Sequence, residues 1–593
     1  MRWSILSALL SIVAVSVRGQ SSTVDAFLAA ESPIAKANLL ANIGPSGSKS
    51  QGAKAGIVIA SPSKSNPDYL YTWTRDSALV FQTIIEQYTL GLDTSLRSQI
   101  DNFVTSQKII QQVSNPSGTV SSGGLGEPKF NIDETAFTGS WGRPQRDGPA
   151  LRANALITWA NFLLTQSNSS YVTGTLWPII KLDLDYVSSN WNQTGYILFK
   201  NNLVFSVNHS RKPRFDLWEE VNSSSFFTTA VQHRALRQGA ALATAIGQTG
   251  VASGYTTQAA NTLCFLQSYW NSAGYTTANT GGGRSGKDAN TILTSIHTFD
   301  AAAGCDSITF QPCSDRALAN LLVYVNAFRI YTINNGIAAN QGLATGRYPE
   351  DSYFGGNPWY LTTLAVAEQL YDALIVWKQQ GSLTVTAVSQ PFFTNLSPGV
   401  TIGTYSSSTS TFTTLVTAVK DYADSFVAVV AKYTPSNGAL SEQYTRSNGS
   451  PTSASDLTWS YAALLTAFGA RNGVVPISWG ASGLTVPATC QRNNGAGGTV
   501  AVSFNVQATT VWGENIYVTG SVNELANWST DNALLLSADS YPTWKITVNL
   551  PPSTSIQYKY IRKFNGAVTW ESDPNRQFTT PSSGSYNLND SWK

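Results

Sequence analysis

Apolar residues recur at the three- and four-residue spacing of an amphipathic helix from about residue 22 to residue 486. This spacing predicts helices over residues 150–166, 228–249, 315–334, 358–380, 411–433 and 455–469. Long loops rich in Gly, Pro, Asn and Trp separate these helices. Because rigid helices commonly position functional loops, we expect the chemistry of this part of the chain to lie in the loops.

The pattern changes after Cys490. The sequence NNGAGG at 493–498 indicates a short flexible linker, which we place at residues 491–498. From residue 499 onward, strand patterns separated by turn signals occur at 500–507, 515–520, 545–550 and 556–562. The chain is therefore predicted to be multidomain, with an all-α domain at 21–490 followed by a small all-β sandwich at 499–593.

Residues 1–20 have the pattern of a secretory signal peptide. Arg2 supplies the positive start, residues 5–17 supply the apolar stretch, and Gly19 is a small residue near a plausible cleavage site. The apolar stretch is too short to cross a bilayer, and no later stretch is long enough. We therefore expect a secreted, extracellular protein without a membrane partner.

Composition narrows the kind of ligand only slightly. Charged residues make up 12% of the 593 residues, and aromatic residues make up 11%. A chain rich in Trp, Tyr, Ser and Thr but poor in charge suits the binding of sugars, although an ordinary large core has the same composition. The three histidines show no metal-ligand spacing, so we expect neither a metal nor another cofactor.

The four cysteines, Cys264, Cys305, Cys313 and Cys490, allow three pairings. Cys305 and Cys313 are close in sequence and bracket a polar loop, so we predict that they form one disulfide. The remaining pair, Cys264–Cys490, would close a long loop and tie down the end of the helical domain. Sequons for N-glycosylation also fit secretion, and they include those that begin at Asn168, Asn192, Asn222, Asn395, Asn448, Asn527 and Asn589.

Two acidic residues far apart in the sequence, Glu219 and Glu442, have aromatic neighbours in the stretches DLWEE at 216–220 and LSEQY at 440–444. Hydrolysis of a glycosidic bond needs such a pair, because one carboxylic acid protonates the leaving oxygen and the other acts on water or on the anomeric carbon. Taken alone the signal is weak, since a Glu-Glu pair commonly lies on a solvated helix face.

Longer motifs give these two residues a context. The motifs are YTWTRD at 71–76, GGLGEPKF at 123–130, SWGRPQRDGP at 140–149, DLWEE at 216–220, GRYPED at 346–351 and LTWSY at 457–461. With these motifs in this order, the helical domain resembles the fungal glucoamylases of glycoside hydrolase family 15. The resemblance implies an (α/α)6 barrel with its active site in a pocket at one end. It also implies inverting hydrolysis that releases glucose from the non-reducing ends of starch, from α-1,4 links and more slowly from α-1,6 links.

The resemblance also implies roles for residues of these motifs. Glu219 matches the general acid and Glu442 the general base that activates water. Arg75, Asp76 and Arg347 match residues that grip hydroxyls of the terminal glucose. The remaining matched positions are Glu220 and Trp141, which line the next sugar subsite, and Tyr69, Trp73, Trp359 and Trp459, which form aromatic walls.

The second domain resembles the starch-binding module of carbohydrate-binding family 20. The matching stretches are WGENIY at 512–517, ELANW at 524–528, YKY at 558–560 and VTWESDPNR at 568–576. The resemblance implies that Trp528 and Trp570 stack on one glucan, with Lys559 and Asn575 nearby, and that Trp512 and Tyr541 form a second site. We therefore expect starch, amylose and maltooligosaccharides as partners, no nucleic acid, and a monomer. The chain departs from the family in its short linker and in having no cysteine beyond Cys490.

The largest departure is an insertion at residues 197–215. Family members run almost directly from a Gly-aromatic pair, here Gly195-Tyr196, into the DLWEE motif. The inserted stretch contains four cationic residues and no acid, and we interpret it as a retained intron in the gene model. Removing its four cations together with Arg2 and Arg18 lowers the formal charge from +2 to −4, so no nucleic-acid partner should be inferred from the charge.

Two other functions stay open at this point. The same barrel could serve a different inverting α-glycosidase, such as one that acts on trehalose, although the starch-binding module argues against this. A non-catalytic starch-binding protein is the alternative if residues 197–215 are translated.

Overall fold

The computed structural model describes residues 23–192, 215–488, 500–550, 554–581 and 584–593. The predicted signal peptide, residues 197–214 of the insertion, Cys490 and the linker at 491–498 lie outside the described residues. The chain divides into two compact units, Met1–Cys490 and Gln491–Lys593.

Twelve helices in the described part of the first unit alternate between an outer and an inner layer. The outer helices are α1 (residues 23–41), α3 (Arg97–Ile110), α5 (Trp177–Asn190), α7 (Thr249–Leu266), α9 (Asp315–Ala327) and α11 (Ser410–Tyr433). The inner helices are α2 (Thr74–Thr89), α4 (Asp147–Thr165), α6 (Phe226–Ala245), α8 (Asn290–His297), α10 (Tyr360–Gln380) and α12 (Thr458–Arg471). Shorter helical segments lie at Ser169–Tyr171, Val172–Leu176 and Gln390–Leu396.

The inner layer closes on itself. Each inner helix packs against the next, from α2 through α4, α6, α8 and α10 to α12, and α12 packs against α2. Five outer helices each pack against the inner helix next to them in sequence, and α1 is tied to the end of α12 by an ion pair of 2.6 Å between Asp25 and Arg471. The predicted (α/α)6 barrel is confirmed.

Burial separates the two layers. In α10 every residue from Tyr360 to Trp377 is buried, because an inner helix is covered by the outer layer on one side and by other inner helices on the other. The outer helix α11 instead buries one apolar face, which includes Leu415, Val419 and Phe426, as an amphipathic helix does at a surface.

Short strand pairs and a disulfide brace the connections of the first unit. In the loops, β1 (Thr72–Trp73) pairs with β2 (Lys129–Phe130), β3 (Ser382–Val385) with β4 (Gly403–Ser406), and β5 (Gln443–Tyr444) with β6 (Pro451–Thr452). Cys305 and Cys313 form a disulfide with Cα atoms 4.8 Å apart. Cys264 is also disulfide-bonded, and its predicted partner Cys490 lies outside the described residues.

The second unit contains two sheets. One has the strand order β10 (Ser537–Ser540), β11 (Thr543–Leu550), β7 (Val500–Gln507) and β15 (Ser585–Ser591). The other has β13 (Ala567–Trp570), β12 (Ser555–Phe564), β8 (Asn515–Gly520) and β9 (Leu534–Leu535), with β14 (Arg576–Thr579) also paired to β12. Alternate residues of β7, from Val500 to Val506, point into the core, as expected for a strand with one covered face.

The helices among the described residues include none that is both long and apolar enough to cross a membrane.

Candidate active site

The loops that lead into the inner helices α2, α4, α6, α10 and α12 converge on one cavity of about 580 Å³. All eleven residues predicted for the catalytic domain line this cavity: Tyr69, Trp73, Arg75, Asp76, Trp141, Glu219, Glu220, Arg347, Trp359, Glu442 and Trp459. They lie in such loops or in the first turn of an inner helix. The N-terminal ends of these inner helices therefore face the cavity.

Arg75 and Asp76 lie in the first turn of α2. Helical Cα–Cβ bonds tilt toward the N-terminus, so side chains at this position project into the cavity. Arg75 contacts Asp147 at 3.1 Å and the carboxylate of Asp76 at 3.5 Å, and its other terminal nitrogen donates to Glu219. Burial raises the pKa of Asp76 to about 6, against the opposing effect of the Arg75 guanidinium.

Glu219 lies in a tight turn within the connection between α5 and α6. Its φ is 67°, a left-handed conformation that costs a residue with a side chain about 1–2 kcal/mol. Asp216 holds the turn, because its carbonyl accepts from the Glu219 amide and its carboxylate accepts from the amides of Glu220 and Val221. Gly142 packs against this loop so closely that a Cβ there would lie 2.8 Å from the carbonyl oxygen of Glu219.

The carboxylate of Glu219 is oriented by two donors. The indole Nε1 of Trp73 donates to Oε1 at 2.8 Å, and Arg75 donates to the same oxygen at 3.1 Å. Both donors belong to the segment that enters α2, so the start of this helix fixes the direction of a carboxylate 144 residues away.

Glu220 is the centre of a second charged network. Arg347 donates to its Oε1 at 2.9 Å, Arg284 donates to its Oε2 at 2.6 Å, and the Tyr348 hydroxyl donates to Oε2. Burial alone would raise the pKa of Glu220, but these partners outweigh it and hold the pKa below its usual value. Arg347 is itself held by two hydrogen bonds, of 2.7 and 2.8 Å, to Asp351. Such a fork fixes the guanidinium plane that faces the cavity.

Glu442 immediately precedes β5 and is 1% exposed. Its Oε2 accepts from the Ser453 hydroxyl and, at 3.0 Å, from the side-chain Nε2 of Gln443. Burial raises the pKa of Glu442 to about 7, although the Ser453 and Gln443 hydrogen bonds and the charge of Arg347 act in the opposite direction. Glu442 is thus the most deeply buried carboxyl group on the cavity wall.

Sequence reasoning did not assign a role to Lys129, although it lies in the GGLGEPKF motif. Its ammonium lies 3.7–4.6 Å from the ring centres of four aromatic residues, Tyr71, Trp73, Phe137 and Trp141. Burial lowers the pKa of Lys129 to about 8, while the negative charge of Glu219 opposes this shift. This set of four rings around the ammonium could not be inferred from sequence spacing, since the rings come from two different loops.

The remaining residues of the wall were also not predicted. They are Ala60, Pro67, Asp68, Gly142, Leu217, Trp218, Tyr353, Phe354 and Leu457. The Tyr353 hydroxyl is 2.7 Å from that of Tyr69, so these two rings form one polar edge of the pocket. Gly142, Leu217, Trp218 and Leu457 lie within the motifs themselves, and that position is the signal that could have identified them.

The second unit exposes two aromatic pairs at the positions predicted to bind glucan. The ring centres of Trp528 and Trp570 are 6.5 Å apart. The neighbouring Lys559 donates to Asp573 and to the Glu571 carbonyl, and Asn575 donates to Gln557. The other pair is Trp512, which is 100% exposed, and Tyr541, whose hydroxyl lies 3.4 Å from the carbonyl oxygen of Thr510.

Comparisons with known families match both units. The family model of glycosyl hydrolases family 15 matches residues 33–198 and 197–469, and the model of the starch binding domain matches residues 499–590. A glucoamylase-1 of Schizophyllum commune is 63% identical over 591 residues, which cover 99% of this chain and 98% of the relative. A glucoamylase of Neurospora crassa is 47% identical and covers 96% of this chain and 94% of the relative.

Solved structures give the same picture. A glycoside hydrolase family 15 glucoamylase from Hypocrea jecorina superimposes with a TM-score of 0.74 at 48% identity, and covers 96% of this chain and 100% of the neighbour. A glucoamylase from Hormoconis resinae gives a TM-score of 0.73 at 45% identity, and covers 96% of this chain and 98% of the neighbour.

Proposed function

The chain belongs to glycosyl hydrolases family 15, and we propose that Glu219 and Glu442 carry out its glucan 1,4-α-glucosidase reaction. The protein is an exo-acting glucoamylase that hydrolyses terminal α-1,4-linked glucose, and more slowly α-1,6-linked glucose, from the non-reducing ends of starch and related glucans with inversion. A starch-binding domain follows the catalytic domain.

In the proposed mechanism, Glu219 donates its proton to the glycosidic oxygen as the bond to the anomeric carbon breaks. Glu442 removes a proton from a water molecule that attacks the opposite face of that carbon. The oxygen of this water becomes the anomeric hydroxyl of β-glucose, and the proton of Glu219 leaves on the shortened glucan. One carboxyl group ends protonated and the other ionised, so a proton returns through solvent before the next turnover.

The charged groups around the two carboxylates act on the terminal sugar. Arg75 and Asp76 at the start of α2 offer a donor and an acceptor to neighbouring hydroxyls, and Arg347 offers a guanidinium whose plane Asp351 fixes. Glu220 and Trp141 would then contact the second sugar. Tyr69, Trp73, Trp359 and Trp459 would supply apolar walls. Rigid hydroxyl clamps lower the entropic part of the barrier by holding the reacting bond beside the acid.

One observation carries the assignment: Glu219 and Glu442 line the same cavity together with Arg75, Asp76 and Arg347. A cavity that offers two carboxyl groups and several charged donors and acceptors suits a neutral, hydroxyl-rich substrate. Trp528 with Trp570, assisted by Lys559 and Asn575, and Trp512 with Tyr541 would hold the enzyme on glucan chains by stacking. The module acts by raising the local concentration of the enzyme at its substrate.

The organisation of the natural protein is part of the proposal. We place the signal peptide at 1–20, the catalytic domain at 21–490, the linker at 491–498 and the module at 499–593. The relatives are named glucoamylases, and the leader pattern supports a secreted, extracellular glycoprotein. We propose a monomer without a nucleic-acid or membrane partner. The segment 197–215 is proposed to be absent from the natural protein, and the two family matches meet at the start of this segment.

One experiment tests the reaction directly. The protein is incubated with soluble starch, maltose and trehalose, and the released glucose is followed by proton NMR at early times. We expect rapid release of β-glucose from starch and maltose and negligible release from trehalose. Initial release of α-glucose would refute inversion, and preferential cleavage of trehalose would support the alternative α-glycosidase. If no glucose were released from any of the three substrates, the result would support the alternative of a non-catalytic starch-binding protein.

A further inference from the structure

Asp288 lies directly behind the loop that carries Glu219. It precedes α8, is 1% exposed, and does not line the active-site cavity. Its Oδ1 accepts from the indole Nε1 of Trp218 at 2.7 Å and from the amide of Asn290 at 2.8 Å. Its Oδ2 is buried and has no hydrogen-bond partner among the residues that the structure describes. One oxygen of this buried carboxyl group therefore holds a pocket-lining tryptophan by a hydrogen bond.

Trp218 is fixed from three sides. Its ring packs at 5.6 Å from that of Trp359, and the Arg347 guanidinium lies 5.5 Å from its ring centre. Asp288 holds the polar edge of the ring. Trp218 is the residue immediately before Glu219, whose φ is 67°, so contacts that hold the Trp218 ring also restrain the backbone where this left-handed turn begins.

Neighbours of Asp288 hold the rest of the same loop. Asn279 donates to the carboxylate of Asp216 at 3.2 Å, at the start of the loop. Asn290 donates to the Ser225 hydroxyl at 2.7 Å and accepts from the Phe227 amide at 3.0 Å, at its end. The segment from Asn279 to Asn290, which leads into α8, thus contacts the Glu219 loop at its beginning, middle and end, and Asp288 makes the contact closest in sequence to Glu219.

We infer that Asp288 is a positioning residue of the reaction, which acts through the Trp218 indole to hold Glu219 where it can protonate the glycosidic oxygen. This inference rests on the proposed role of Glu219. A left-handed residue persists only where its surroundings over-determine it, and an acid must be placed within a fraction of an ångström to transfer its proton. Loss of the hydrogen bond would let the turn relax and move the carboxyl group out of reach.

The contact does not require a charged carboxylate. Burial raises the pKa of Asp288 to about 7, with a further rise from Asp216, whereas the Asn290 and Trp218 hydrogen bonds and the Arg284 charge oppose the rise. At acidic pH the group is largely neutral and still accepts from the indole through its carbonyl oxygen. An asparagine at this position keeps that oxygen, whereas a leucine removes it.

The test compares Asp288→Leu, Asp288→Asn and Trp218→Phe with the wild type on maltose and on α-glucosyl fluoride. Fluoride leaves without much help from an acid, so misplacement of the acid should slow maltose hydrolysis selectively. We expect Asp288→Leu to lower kcat on maltose at least tenfold, with KM and the rate on α-glucosyl fluoride within threefold of wild type. Trp218→Phe should lower kcat on maltose by a similar factor, but because Trp218 lines the cavity, its KM and its rate on α-glucosyl fluoride are not part of the test. Asp288→Asn should restore kcat on maltose to within threefold.

Three outcomes would overturn the inference. They are a kcat on maltose within twofold of wild type for folded Asp288→Leu, equal losses on the two substrates, or a double variant with Trp218→Phe whose losses simply multiply. If Asp288→Leu does not fold, Asp288→Ala removes the same acceptor from Trp218 and takes its place, with the same expected results. Glu219→Gln separates the two proposals, because its full activity would refute the acid itself, whereas an inactive Glu219→Gln with a normal Asp288→Leu would refute only the positioning role.

Discussion

The hydroxyl of Ser453 donates a hydrogen bond to Oε2 of Glu442, and Ser453 itself has a φ of 63°. A donor to a carboxylate stabilises its ionised form, so this contact lowers the pKa that burial raises at Glu442. The proposed general base is thus tuned by a residue eleven positions later in the chain.

Ser453→Gly should move the pH dependence of the reaction. Glycine tolerates the positive φ, so the substitution removes the donor without new strain. The pKa of Glu442 then rises, and the acid-side limb of kcat/KM should shift upward by about 0.5–1 pH unit while the alkaline limb stays in place. Rates on maltose across the pH range measure this. The exposed Ser408→Gly is the matched control, and an unmoved acid limb in Ser453→Gly would show that Glu442 is not the base.

Glu219→Gln should lower kcat on maltose by about 10²–10⁴-fold, because the amide keeps the shape of the side chain but cannot donate its proton. It can still accept from Trp73, so binding of maltooligosaccharides measured by calorimetry should stay within a few-fold of wild type. Glu524→Gln, on the surface of the second unit, is the control and should be fully active. A Glu219→Gln enzyme within a few-fold of wild-type turnover contradicts the assignment.

Sequence alone predicted eleven of the residues that line this cavity, because they lie in or beside recognisable motifs. Arg75, Asp76 and Trp73 lie in one run, and Glu219 with Glu220 lies in another. Lys129 and Asp288 were missed for the opposite reason. Lys129 contacts aromatic rings that come from two loops, and Asp288 accepts a hydrogen bond from an indole 70 residues earlier in the chain. Only the fold brings these groups together.

Secondary structure was also predicted well where the local sequence pattern is clear and missed where it is not. Residues 411–433 and 500–507 were predicted within one residue of the observed α11 and β7, because each element has one covered face and a clear period. The inner helix α2 did not stand out, since its buried residues include Arg75, Asp76, Ser77 and Thr83 and leave no continuous apolar stripe. Polar side chains, two of which line the cavity, occupy positions where apolar residues would have produced the helical pattern.

The stability of the protein should fall as the pH rises above about 5. Burial raises the pKa of Glu31, Asp288 and Glu442 to about 7 and that of Glu368 to about 8. At these carboxyl groups the folded state therefore binds more protons than the unfolded chain between their ordinary and raised pKa values. Burial lowers the pKa of His233 to about 4 and that of His297 to about 3, which acts in the opposite direction below about pH 6.5, but the four carboxyl groups outweigh these two histidines. In that window the free energy of unfolding decreases with increasing pH. We expect a higher Tm at pH 5 than at pH 8 by scanning calorimetry.

Glu368→Gln provides the matched test of that prediction. The amide keeps an acceptor for the Thr466 hydroxyl, which now donates at 2.6 Å, but it has no charge to bury. The variant should lose part of the pH dependence and gain roughly 2–4 °C in Tm over wild type at pH 8. The exposed Glu524→Gln should leave the pH dependence unchanged. An identical Tm profile for Glu368→Gln and wild type would contradict the raised pKa of Glu368.

Trp528→Ala combined with Trp570→Ala should weaken adsorption to granular starch at least tenfold and leave kcat/KM on maltose within twofold of wild type. Each substitution removes a large apolar ring face on which a glucan could stack, and neither residue touches the reacting bond. Tyr586→Ala is a suitable control, because Tyr586 and Trp570 are each 40% exposed and Tyr586 lies in neither proposed site. Equal losses on granules and on maltose would place the binding residues elsewhere.

Phe215, the last residue of the unusual segment 197–215, is part of the structure around Glu219. Its amide donates to the Pro144 carbonyl at 3.1 Å, and a Cβ at Gly142 would lie 3.1 Å from its ring. If residues 197–215 are deleted, Tyr196 becomes the residue before Asp216 and places another aromatic ring at this position. The catalytic loop can therefore close in the same way without the segment.

We accordingly predict that the natural secreted protein lacks residues 197–215, and that a chain without them is at least as active on maltose as the full chain. Loop-closure entropy rises slowly with length, so the extra residues threaten the placement of Glu219 more than folding. Mass spectrometry of the natural protein decides the first part, because a tryptic peptide covering residues 201–211, with or without a glycan at Asn208, can arise only if the segment is translated. Detection of that peptide in a fully active natural enzyme would show that the segment is a harmless surface loop.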